Sequence, residues 1–165
     1  MGFAMNVGPN KLEAVKALVK AGANPLEVQN NIGGTGLHMV ANNKDADAEL
    51  VRYVLELPGV RALINARQRG RTLTWKVILL AARLFVKMGT KKALIVKIGG
   101  WRNLSALMNA ARSGNAAAMK VLVEEGGANT LLRKGWFGRG PTALDMLVGG
   151  ENALEETRVL LGSSP

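Results

Sequence analysis

Apolar residues recur along this chain at helical rather than strand spacing. In the segment 12–24, LEAVKALVKAGAN, residues Leu12, Val15, Leu18 and Val19 follow the i, i+3, i+4 rhythm of one buried stripe. Lys11, Glu13, Lys16 and Lys20 lie elsewhere on the wheel, so one face is core and the other wet. The segment 116–129, AAAMKVLVEEGGAN, repeats both the pattern and its ending in glycine. Glycine suits such ends because it enters the left-handed conformation that stops a helix without steric cost. Short amphipathic helices, and hence an all-α fold, are the expectation.

A second landmark marks where helices start. GTGLHMVA (34–41), LSALMNAA (104–111) and PTALDMLV (141–148) each carry a hydroxyl residue, then Leu two positions on, then an apolar helical pattern. RTLTWKVI (71–78) is a weaker copy. The hydroxyls Thr35, Thr72, Ser105 and Thr142 are spaced by 37, 33 and 37 residues. A hydroxyl at a helix start caps backbone N–H groups that have no partner inside the helix. Self-similarity at such a period signals a stack of repeated units.

Together these segments resemble the ankyrin repeat, whose pattern runs G-x-T-P-L-H-x-A-A, a short loop, a second helix, then G-A and a finger-like loop. GTGLHMVA carries the glycine, threonine, leucine, histidine and final alanine, with Gly36 in place of the proline. LMNAARSGNAAAMKVLVEEGGAN matches through two helices and the turn between them. The resemblance covers nearly the whole chain and implies a single domain, 1–165, an ankyrin-repeat solenoid of stacked helix-turn-helix units with finger loops. The expected units are 1–33 (partial), 34–69, 70–102 (divergent), 103–139 and 140–165. Gly8 aligns with the glycine between a unit's two helices, so the array is expected to begin mid-repeat, and the tail GSSP is too short and polar for a further unit.

The unit at 70–102 departs from the pattern. Thr72 to Gly89 leaves 17 residues for two helices, where Ser105 to Gly127 leaves 22. Either the second helix is cut short and ALIVKI (93–98) adds a strand to an enlarged finger, or the helix lies later. The β-branched Ile95, Val96 and Ile98, followed by two glycines, favour the strand.

Composition narrows the function classes. The chain has 165 residues, enough for one domain, and no cysteine, which excludes disulfides, Cys-ligated zinc and thiol nucleophiles. No apolar run approaches the roughly 18 residues of a membrane span. The N-terminal MGFAMNVGPNK has neither secretory nor organelle-presequence character, so an intracellular location is expected, with cytoplasm, nucleus and organelle interior left open. His38 is the one histidine, at the position where the ankyrin family ties neighbouring loops together, and its expected role is structural. Asp45, Asp47 and Glu49 lack the glycine and terminal glutamate of a calcium loop, and Asp47 is expected to help start a helix. No catalytic set, cofactor or metal site is expected.

Charge supplies the sharpest clue. The net charge is +10, and residues 57–123 hold thirteen Lys or Arg with no Asp or Glu. Such a block concentrates anionic partners. Arg67, Arg69 and Arg71 alternate in NARQRGR, so in an extended segment they point one way. Arg133, Lys134 and Arg139 surround Trp136 and Phe137 in LRKGWFGRG, and Trp101 with Arg102 repeats the theme. Exposed aromatics beside arginines stack on unpaired bases or anchor a protein interface; packed inward, they hold the finger to the last unit. Ankyrin stacks as a family bind other proteins. The expected function is therefore a non-enzymatic interaction module or scaffold whose basic central surface binds an acidic protein partner. The alternative is an RNA-binding structural subunit of a large multi-subunit assembly such as an organellar ribosome.

Overall fold

A computed structural model describes residues 10–27, 30–100, 103–134, 140–147 and 159. Among these the chain is all-helical, without a strand. Helix α1 spans Lys11–Lys20, α2 Gly36–Asn42, α3 Ala48–Glu56, α4 Leu73–Lys87, α5 Ala93–Gly100, α6 Ala106–Ser113 and α7 Ala116–Lys120. A π-helical turn, Val121–Glu125, prolongs α7, and 3-10 turns occupy Arg61–Leu63 and Leu144–Met146.

The helix starts follow from local chemistry. Thr72 Oγ1 accepts from Trp75 N (3.3 Å), Ser105 Oγ from Met108 N (3.2 Å) and Thr142 Oγ1 from Asp145 N (3.3 Å). At Thr35 the cap works through His38, whose Nδ1 accepts from Thr35 N at 3.3 Å. Asp47 Oδ1 accepts from Leu50 N (2.7 Å), so Asp47 does start α3. At the other end of α6, Gly114 takes φ +72°, the left-handed turn that stops the helix.

The pair α2/α3 packs directly on the pair α6/α7, with α2 against α6. Ala106, Ala110 and Ala111 on α6 are small enough for close approach to α2, and Leu37, Leu50, Leu55, Leu107, Met119 and Leu122 fill the shared core. Polar bonds fix the register. Asn115 Nδ2 donates to Asn43 O (2.7 Å) and Ala46 O (3.0 Å), while its Oδ1 caps α7 by accepting from Ala118 N. Ser113 Oγ donates to Ala41 O at 3.1 Å. On the outer side Arg52 grips Glu125 with two bonds of 2.7 Å, and Asn65 Oδ1 accepts from Asn129 N.

Helices α4 and α5 do not come between these pairs. Helices α4 and α5 pack chiefly on each other, as a helical hairpin. The backbone closes beneath it: Gln68 N donates to Leu104 O (2.8 Å) and Asn103 N to Gln68 O (3.0 Å). Asn103 manages this return at φ +60°, a conformation asparagine tolerates better than most residues. The expected strand at 93–98 is corrected: these residues lie in helix α5. Their β-branched preference gains nothing where no strand edge among the described residues offers a ladder, whereas α4 offers an apolar face. Among the described residues no helix is long and apolar enough to cross a membrane.

Candidate ligand-binding cavity

The base of the hairpin and the inner helices α2 and α6 line an open cavity of about 330 Å³. One wall is the loop before α2. It is pinned by the segment after Ile64: Arg71 N donates to Asn31 O (3.0 Å), and Gly33, at φ +85°, lies so close to Arg69 that any Cβ would collide with the Arg69 carbonyl oxygen. From this loop come Asn30, Asn31 and Ile32; α2 adds Met39 and Asn42; Gln68 closes the floor. Trp75, in the first turn of α4, stands half-buried at the hairpin side, and α6 contributes Asn109 and Arg112, one helical turn apart.

Five amide side chains thus surround one guanidinium. Arg112 is half-buried, and burial lowers its pKa from the ordinary arginine value. Its Nη2 donates to Asn42 Oδ1 (3.2 Å), and no carboxylate among the described residues forms an ion pair with it. The amides are not all satisfied. Gln68 Oε1 and Asn109 Nδ2 are buried without a hydrogen-bond partner, as is Asn103 Nδ2 just beneath. Lys134 lies nearby with its pKa pushed down to about 8, first by burial, then by the positive charges of Arg112 and Arg83. Arg83, Arg112 and Lys134 therefore converge from α4, α6 and the 130s loop into one region of positive potential.

His38 also borders the cavity, but its ring is engaged. Nε2 is 3.0 Å from Ala66 O and Nδ1 2.9 Å from Thr35 Oγ1. Burial, opposed by hydrogen bonds to the Ala66 and Leu104 backbones, lowers its pKa to about 4, so it is neutral at pH 7. Among the described residues no three His, Asp or Glu side chains gather as a metal site would require.

The residues singled out from the sequence fall into three groups. In 67–71, burial alternates: Gln68 and Gly70 are buried, Arg69 and Arg71 exposed and Arg67 half-buried. Arg133 is exposed, with Nη1 donating to Gly140 O (3.0 Å), and Lys134 joins the cationic region described above. Trp101, Arg102, Trp136, Phe137 and Arg139 lie outside the described residues. Sequence reading passed over Arg112, Asn109, Gln68 and Trp75. One signal was present: Asn109 is a polar residue within the core-facing stretch LMNAA, and it is buried. A second surface was also missed. Leu73, Val77, Leu80 and Leu84 form an exposed stripe along the outer face of α4, continued by Met88 just past its end. No model of a known protein family matches the chain, and no curated protein matches it in sequence.

Proposed function

We propose that the chain is an intracellular, non-enzymatic binding module of ankyrin type, and that its basic inner face docks an acidic protein partner. One observation carries the reading. Arg83, Arg112 and Lys134 bring positive charge from three parts of the chain to one side of the cavity, where burial first and then the charges of Arg112 and Arg83 lower the pKa of Lys134 to about 8, a setting that favours an anionic partner. The stacking of α2/α3 on α6/α7, and the bond from His38 to the Ala66 carbonyl, are compatible with ankyrin-like units whose loops are tied by this histidine. The cations sit beside a concave, amide-lined cavity, a setting suited to side chains and peptide groups of a protein.

Fluorescence anisotropy of a labelled Glu/Leu-rich peptide, and of a mixed pool of structured RNA, tests this at several salt concentrations. The peptide is expected to bind the wild type at 150 mM salt, and the double substitution Arg83→Gln, Lys134→Gln to weaken it about tenfold. Tighter binding of RNA than of peptide, with a steep salt slope, overturns the reading in favour of RNA assembly.

A further inference from the structure

The cavity beside this cationic region has a chemistry of its own. We infer that it is a carboxylate-recognition pocket that takes one glutamate side chain of the acidic partner and reads the adjoining peptide group with its amides. The inference rests on the acidic-partner reading and narrows it to one side chain and one set of contacts.

Arg112 decides the sign and shape of the ligand. A guanidinium carries five N–H donors, and among the described residues its one hydrogen bond goes to Asn42. It stands half-buried, where water serves it poorly, and its planar fork matches the two oxygens of a carboxylate. Arg83 and Lys134 lie close enough to enhance the positive potential but are not in the cavity wall. One wall cation suits a singly charged carboxylate better than a phosphate dianion. Nor does α2 supply an anion site at its start: it has seven residues, and His38 is neutral with its ring bonded elsewhere.

The amides decide what accompanies the carboxylate. Gln68 and Asn109 line the cavity and are 4% and 2% exposed; Gln68 Oε1 and Asn109 Nδ2 are unpartnered but sealed from solvent behind the cavity surface. Each such buried atom costs roughly 1–3 kcal/mol while unpaired. A peptide group offers one N–H and one C=O, which side-chain amides such as those lining the cavity pair with. The terminal torsions of Asn and Gln are broad and two-fold, so a half-turn exchanges the ends of either amide facing the ligand. Ile32, Met39 and the Trp75 ring supply apolar wall for methylene groups, which favours glutamate over the shorter aspartate. The volume of about 330 Å³ is at the lower end of the range for ligand pockets, as a single side chain with its peptide group requires.

An NMR titration with N-acetyl-glutamate N-methylamide, with its glutamine counterpart as control, tests the pocket at fixed ionic strength. The glutamate probe is expected to shift the Trp75 indole N–H and the Asn109 side-chain amide saturably, and the glutamine probe to bind at least tenfold more weakly. Arg112→Gln should erase the difference between the probes. Asn42→Asp, an exposed change on α2 that places a carboxylate against Arg112, should block the glutamate probe without disturbing the core. Equal affinity for the two probes, or a glutamate response that survives both substitutions, overturns the inference. Poly-L-glutamate separates the pocket from the docking reading. Binding of the polymer to wild type and to Arg112→Gln alike, with no saturable response to the small probe, sinks the pocket and leaves the acidic-partner reading intact. Saturable, Arg112-dependent binding of the small probe without binding of the polymer supports the pocket and sinks the docking reading.

Discussion

Helices α6 and α4 are both rich in apolar residues, yet they live in different surroundings. On α6, Leu107 is 1% exposed and every residue from Ala106 to Ala111 is buried. On α4, Leu73 is 76% and Leu84 51% exposed, and only Leu79 and Ala82 are buried. The difference comes from the neighbours rather than from hydrophobicity. Helix α6 alternates alanines with larger residues, so α2 can approach on one side while α7 and its π-helical continuation close another. Helix α4 is apolar around most of its circumference and has one principal neighbour, α5, to cover a single face. A helix apolar all round is ordinarily buried in full. The hairpin therefore contributes little to the main core, and neither Leu79 nor Ala82 belongs to that cluster.

The largest effect that tests this contrast is a pair of matched truncations. Leu107→Ala removes a fully buried side chain from the interface between the stacked pairs and should cost about 2–5 kcal/mol in urea unfolding. Leu80→Ala, on the outer face of α4, should change stability by less than about 0.5 kcal/mol. Equal losses at the two positions would mean that the hairpin and the stack form one cooperative core.

A smaller effect, confined to the stack, comes from His38. Its folded pKa of about 4 lies below the ordinary 6.5, so between those values the unfolded chain binds more protons than the folded one. Stability from keeping this ring neutral is complete above pH 6.5 and is lost as pH falls towards 4, by roughly 3 kcal/mol across the full span. The carboxylates of Asp145 and Glu125, whose pKa values are held down by Thr142 and Arg52 respectively, release their share at lower pH. The upper part of the window, from 6.5 to about 5, therefore belongs to His38. Unfolding free energies measured across it should slope for the wild type and run flat for His38→Gln. A wild-type profile flat over that range would show that the imidazole takes up its proton in the folded state.

The same contrast explains what could be read in advance. Helix starts at Thr35, Thr72, Ser105 and Thr142 were legible because a cap involves residues three apart. The glycine at the end of α1 and the role of Asp47 were legible for the same reason. Helix α5 was not, since the β-branched run Ile95, Val96, Ile98 has a local preference that only the absence of a pairing strand and the presence of α4 overrule. The direct packing of α2 on α6 was hidden too, because the caps of α4 announce a helix without saying which helix it meets. The cavity depends on such meetings. Gln68, Trp75, Asn109 and Arg112 come from three separate stretches of chain, and the cluster Arg67, Arg69, Arg71 drew attention because its residues are neighbours in sequence.

The smallest effect on stability sharpens the comparison most. If the outer stripe of α4 makes no contribution to the fold, Leu80 and Leu84 can both become serine with a change within about 0.5 kcal/mol, since surface substitutions away from packed contacts seldom do more. Serine lowers helix propensity relative to leucine by a few tenths of a kcal/mol per site, so the two sites together account for a change of about that size without any loss of packing. The surface itself should change clearly. Binding of an apolar dye such as ANS, and self-association measured by light scattering at high protein concentration, should both fall, because contiguous exposed apolar area is what each reports. A double variant that keeps its stability and loses dye binding places the stripe outside the fold's own needs. A double variant that unfolds shows instead that these leucines are packed in solution, against α5 or a second molecule, and that the exposed face belongs to the hairpin's own stability.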